Sequence, residues 1–209
     1  MFIPRSNRIA APDEIWRFID ANSFALLMSH LGGQMWGTHL PILSATHADG
    51  TKYLHGHVAR ANPQWKEWRD DEEVLVVFNG PHAYISSSWY GHVNVPTWNY
   101  IAVHVYGRLR IIEGDELYAS ITQLMEKYEA KSHRPVTMEG LPADYVEREM
   151  KGVVGFAVEV TDIHGKEKLS QNRDAADHAS IVRELESRDE IFDAEVASEM
   201  RRERSRHGP

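Results

Sequence analysis

The chain has 209 residues, 42% hydrophobic and 26% charged, which excludes intrinsic disorder as its main state. Cysteine is absent, so disulfides, thiolate metal sites, iron–sulfur clusters and a cysteine nucleophile are excluded. The net charge is −8, with 31 acids against 23 lysines and arginines, which is the wrong sign for a chain built around neutralising nucleic-acid phosphates.

No purely apolar run exceeds five residues (Phe24 to Met28, Val74 to Phe78), against the ~20 needed to span a bilayer. The first ten residues lack an apolar signal core. A soluble, cytoplasmic protein with no membrane partner is the expectation.

In chain order, Pro12, Asp13 and Glu14 open a short helix, with proline and acids in its first turn. Phe24 to His30 reads as a strand, Gly32-Gly33 as a hairpin turn and Gln34 to Leu43 as the partner strand. Ala48-Asp49-Gly50 is a second turn, leading into a strand from Lys52 to Ala59. Asn62-Pro63 starts a helical turn that carries Trp65 and Trp68. Glu73 to Asn79 and Ala83 to Ser88 are two further strands. A loop, Trp89 to Thr97, precedes the longest strand, Trp98 to Glu113.

The second half turns helical. Leu117, Ile121, Leu124, Met125 and Tyr128 fall at helical spacing between Asp115 and Lys131, and a shorter helix follows from Pro142 to Lys151. Val153 to Ile163 returns to a strand. From about Asp174 the pattern gives two helices, with a break near Ser187-Arg188-Asp189. Strands joined by short turns favour an antiparallel barrel or sandwich with added helices over a parallel α/β sheet.

Three stretches carry chemistry. On the long strand, Ile101, Val103, Val105, Leu109 and Ile111 form a core face. Trp98, Tyr100, His104, Tyr106, Arg108 and Arg110 share the other face, a composition that suits a subunit interface or a cover of the protein's own helices. In Leu54-His55-Gly56-His57-Val58, the two histidines point to one side, and Gly56 lets backbone or ligand come close. They read as ligand contacts, as structural histidines, or as a metal pair completed by His39, His82 or His104. Asn62 at a helix start, beside Arg60, is an anion-binding arrangement. The one basic cluster, Arg201, Arg202, Arg204 and Arg206, is diluted by Glu199 and Glu203 and reads as a solvated helix end. There is no G-x-G-x-x-G, Walker A or G-x-S-x-G signature.

At these residues the sequence resembles the PaiB family, described as FMN-binding negative transcriptional regulators. The matching stretches are Thr38 to Pro41, His55 to Trp65, Gly80 to Ser86, Asn94 to Gly107, Lys151 to Phe156 and Lys168 to Arg173. The resemblance runs from Ile3 to about Leu185. It implies the FMN-binding split barrel, a six-stranded antiparallel Greek-key barrel of mainly β (α+β) class, working as a homodimer with flavin between subunits. Residues 1–173 would form the barrel domain and 174–209 a helical extension.

The resemblance further implies a cofactor site. Arg60 and Asn62 would face the phosphate, and the backbone of Thr38, His39 and Leu40 would run along the ring. His55, Gly56 and His57 would make ligand contacts. Trp98 and Asn99 would close the cleft from the second subunit, and Gln171 and Arg173 would add polar or cationic contacts. No catalytic residue is assigned. A redox or flavin-sensing FMN protein is the first reading. A repressor that binds DNA itself and a histidine-based metal or haem protein are the alternatives.

Overall fold

Gly32 and Gly33 have φ of +61° and +74°, the positive values that a tight two-residue hairpin needs and that only glycine adopts freely. They join β1 (Phe24–Leu31) to β2 (Gln34–Pro41), paired antiparallel from Leu31↔Gln34 to Phe24↔Pro41. The computed structural model describes residues 1–47, 49–70 and 72–207. The remaining strands are β3 (Leu43–Thr46), β4 (Lys52–Ala59), β5 (Glu72–Ile85), β6 (Thr97–Ile112) and β7 (Val153–Lys168). The helices are α1 (Pro12–Ala21), α2 (Gly114–Glu129), α3 (Ala143–Met150), α4 (Ala175–Ser187) and α5 (Asp193–His207).

The strands form one sheet in the order β2-β1-β5-β6-β7-β4-β3. Its two edges, β2 and β3, are a single stretch of chain interrupted at Ile42. Pro41 ends β2, where its missing N–H costs no ladder bond, and the Ile42 N–H is instead donated to Ser23 O at 2.8 Å. Counted through this break there are six strand segments, as the resemblance implies; counted by ladders there are seven. The chain therefore steps from one sheet edge to the other, which is how a split barrel closes.

The chain divides into two units, with β5, β6 and β7 contributing to both. The first holds Met1–Phe18, Asn79–Val103 and His164–Pro209; the second holds Ile19–Phe78 and His104–Ile163. In the second unit Leu27, Leu54, Val76 and Phe156 are fully buried. Each such side chain contributes roughly 1.5–3 kcal/mol. In the first unit Ile181 and Leu185 of α4 and Val196 and Met200 of α5 are fully buried, so the C-terminal helices build part of that unit's core.

Several elements differ from the sequence reading. The two strands expected around Gly80-Pro81 are one strand, β5. Its rungs to β1 are Leu75 to Val77, so Pro81 removes none of them. Gly80 leaves space that the Phe18 ring occupies, since a Cβ there would stand 2.7 Å from Cε2. At the end of β6, Ile112 rather than Ile111 is buried, in a cluster with Leu117 and Ala157. β7 continues five residues past Ile163. Of the expected turn at 48–50, Ala48 lies outside the described residues, as do residues 208 and 209; Gly50 has φ +88°. Among the described residues no helix is long and apolar enough to cross a membrane.

Candidate functional site

In the second unit, β2 and the turn after β4 meet in a polar cluster. Asn62 caps a 3-10 turn (Pro63–Glu67), its side chain accepting from the Gln64 N–H at 3.0 Å. The Asn62 amide donates to Thr38 Oγ1 at 2.9 Å, and that hydroxyl donates to Gln64 Oε1 at 2.6 Å. Gln64 Nε2 donates to Ser29 Oγ at 2.9 Å, where Trp68 Nε1 also donates at 3.1 Å. Gln64 is wholly buried. A buried amide is tolerated only when satisfied, and a satisfied network fixes its members in place.

The cluster confirms the Asn62-Pro63 start, but as a five-residue 3-10 turn whose first free N–H is already used. Arg60 donates from Nε to Lys151 O at 2.7 Å and from Nη2 to Val153 O at 2.9 Å. Two of its five N–H donors are thus engaged, and its guanidinium lies 5.6 Å from the Trp65 ring. Leu40 is buried, while His39 is exposed and stacks on Phe24 at 6.1 Å.

His55 and His57 share one face of β4, and that face lies under the unit's own helices. His57 lines a cavity of about 320 Å³ with Ile121, Met125, Met150 and Val153. His55 stands edge-on to His47 at 6.4 Å and feels the charges of Glu116 and Arg110. Burial holds both imidazoles below their ordinary value, with Glu116 opposing the shift at His55. Gly56 faces the core: a Cβ there would stand 2.6 Å from Phe156 Cζ and 3.0 Å from Leu40 Cδ1. The close approach the glycine permits is made by core side chains. Among the described residues no three His, Asp or Glu side chains stand together as a metal site.

In the first unit, Asn99, Gln171 and Arg173 line one cavity of about 320 Å³ together with Thr97, Lys168 and Ser170. Asn99 is fully buried and bonds the Ser170 hydroxyl from both ends of its amide, at 3.0 and 3.1 Å. Gln171 clamps the strand end, donating to Glu167 O at 2.6 Å and accepting from the Leu169 N–H at 2.8 Å. Lys168 donates to Trp98 O at 2.7 Å and to Thr97 Oγ1. Burial, then repulsion from Lys166 and Arg173, holds its ammonium below the ordinary lysine value. Trp98 is 54% exposed, beside Tyr84 and His82.

The aromatic face of β6 is partly used within the chain. Lys166 Nζ sits 5.1 Å from the Tyr100 ring, and Arg110 makes a two-pronged ion pair with Glu116. The C-terminal arginines are paired too: Arg201 with Glu186, Arg202 with Glu199, and Arg206 with both Glu14 and Glu167.

Sequence reasoning missed Gln64, Ser29, Lys168 and Ser170. Gln64, Lys168 and Ser170 stood inside motifs already singled out, but burial of one amide is invisible without the fold. Ser170 has φ +61°, an unusual backbone for a residue other than glycine, with no signal in the sequence.

The stepped edge strand and the antiparallel order define the class: a split barrel. Two solved structures share that fold. An FAD and heme binding protein from Mycobacterium smegmatis superposes with a TM-score of 0.59 at 13% identity, over 83% of this chain and 80% of that one. The flavocytochrome Anf3 from Azotobacter vinelandii gives 0.55 at 13% identity, over 81% and 73%. The family model described as "Putative FMN-binding domain" matches residues 1–162, and the chain belongs to that FMN-binding family. The Bacillus subtilis (strain 168) protein "Protease synthase and sporulation protein PAI 2" is 44% identical over 187 residues, 90% of each chain, in line with the PaiB resemblance.

The residues present fit a flavin mononucleotide. The donor set of the first unit's cavity, an ammonium and a guanidinium among amides and hydroxyls, is the chemistry a phosphate ester requires.

Proposed function

We propose that this protein is a homodimeric FMN-binding protein with a redox or flavin-sensing role. The family match over residues 1–162 carries the reading, and the two pre-arranged polar clusters support it. Bound FMN supplies the capacity to accept and return electrons. The protein's part is to bind and orient it.

In this reading the chain at Thr38, His39 and Leu40, held by the Asn62 and Gln64 bonds, lies along the flavin. Arg60 offers three remaining N–H donors from a guanidinium already fixed by two carbonyls. The exposed Trp98 closes the cleft from a second subunit, Arg173 supplies a cationic contact, and Asn99 and Gln171, whose amides are already bonded, hold the wall behind it. His55 and His57, neutral under α2 and α3, shape the β4 side of the site. The regulatory role implied by the resemblance then works through the state of the flavin, since Arg201, Arg202 and Arg206 of the C-terminal cluster are paired with carboxylates and Arg204 donates to the Arg173 carbonyl.

Light scattering on the FMN-saturated protein tests the assembly. The reading expects twice the chain mass of 23.9 kDa across a dilution series, and Trp98→Arg to shift the species toward monomer with loss of flavin. A monomer that retains flavin would contradict it.

A further inference from the structure

We infer that the cavity beside Lys168 takes the dianionic phosphate ester of the flavin nucleotide, with Lys168 and Arg173 as its cationic ligands. The inference rests on the FMN reading and assigns one end of the ligand.

The chain carries an excess of acids, 31 against 23 lysines and arginines, so counter-charges are plentiful. Most of the arginines whose ion pairs are described use them: Arg110, Arg148, Arg188, Arg201, Arg202 and Arg206 each meet a carboxylate. Lys168 and Arg173 do not. Lys168 donates only to neutral oxygens, Thr97 Oγ1 and Trp98 O. The Arg173 guanidinium sits over the Tyr90 ring at 4.8 Å. Among the described residues neither has a carboxylate partner.

Both line the same cavity, and Lys166 adds a third nearby positive charge. Like charges gathered in a partly buried place disfavour one another unless an anion compensates them. The repulsion is felt at Lys168, where Lys166 and Arg173 reinforce the effect of burial. No carboxylate opposes it.

The wall is also built. Ser170 keeps its left-handed backbone because the buried Asn99 grips its hydroxyl. Gln171 is tied at both ends of its amide. Backbone held in a sparsely populated conformation is retained where the surrounding structure fixes it, and such residues cluster at ligand clamps. Arg60 is a poorer phosphate ligand: it is exposed, and two of its donors serve carbonyl oxygens.

The test uses the full chain, freed of flavin, titrated with FMN and with riboflavin. Wild type, Lys168→Met, Lys168→Arg and Arg173→Gln are compared, with inorganic phosphate as competitor. Loss of one charge-assisted contact should weaken FMN about 10- to 100-fold in Lys168→Met and Arg173→Gln. Riboflavin affinity should hold, which also reports that the variants fold. Lys168→Arg should recover most of the FMN affinity, and phosphate should compete with FMN alone in wild type. Equal FMN affinity in wild type and Lys168→Met, or equal losses for FMN and riboflavin, would overturn the inference and leave the flavin reading standing. Phosphate competing with neither flavin would also overturn it. Failure of wild type to bind either flavin would overturn the flavin reading itself, and the assignment with it.

Discussion

Asn62 donates its side-chain amide to the Thr38 hydroxyl across 2.9 Å, joining the turn after β4 to the edge strand β2. Thr38 passes the connection to Gln64, and Gln64 to Ser29 of β1. One side-chain chain thus fixes the register of three segments around the stretch proposed to lie along the flavin.

Gln64→Leu removes the centre of that network, so the Thr38 hydroxyl loses its acceptor and Ser29 Oγ keeps the Trp68 donor but loses Gln64. An unsatisfied buried polar group costs about 1–3 kcal/mol, so the urea midpoint should fall with the slope unchanged. FMN affinity should fall too, because Thr38 is then held by the Asn62 amide without its bond to Gln64. A variant as stable as wild type would show that the network has no structural role.

Gly56→Ala tests whether the glycine serves the core or a ligand. The added methyl would meet Phe156 and Leu40, and overpacking of this kind costs about 1–3 kcal/mol. Stability is expected to drop in the flavin-free protein, by urea titration. A drop in FMN affinity with unchanged stability would instead place the glycine against the ligand.

The histidines set a pH dependence. Burial holds His55, His57 and His178 below the ordinary 6.5, so the unfolded chain takes up protons before the folded one does. Their contribution is complete above the unfolded value and is lost as pH falls through the folded values. The urea midpoint should therefore decline between about pH 7 and about pH 5, and His57→Leu, set among Ile121, Met125 and Val153, should flatten that decline. Equal slopes for the two proteins would show that His57 is not part of it.

The C-terminal arginines bear on DNA. With Arg201, Arg202 and Arg206 engaged by glutamates, most of that cluster's charge is met by acids rather than left to release counterions from a duplex. Gel shifts at ~0.15 M salt should show no sequence-specific binding. A nanomolar footprint on a defined operator, lost on truncation after Ser187, would put direct repression first.

Much of this was legible in the sequence, and particular residues show why. Gly32-Gly33 fixed a hairpin because its backbone demand is local. Asn62-Pro63 fixed a cap for the same reason. The strand expected to run from Gln34 to Leu43 instead ends at Pro41, where the edge breaks at Ile42. Within the motif Lys168 to Arg173 the sequence singled out Gln171 and Arg173 rather than Lys168. That choice depends on which cations lack a carboxylate, a property of the folded chain. The same holds for Gly80-Pro81, which reads as a break and sits inside a strand, because the β1 rungs end before the proline while the strand continues beside β6. Gly56 likewise reads as room for a ligand until Phe156 is seen filling it.

Equilibrium titration of the flavin-free protein with FMN, followed by quenching of flavin fluorescence and by the visible absorbance of the complex, tests the central claim most directly. The account predicts saturable binding at micromolar affinity or tighter, stoichiometric with chains, and stronger for FMN than for riboflavin. No change in either signal up to millimolar FMN would contradict it.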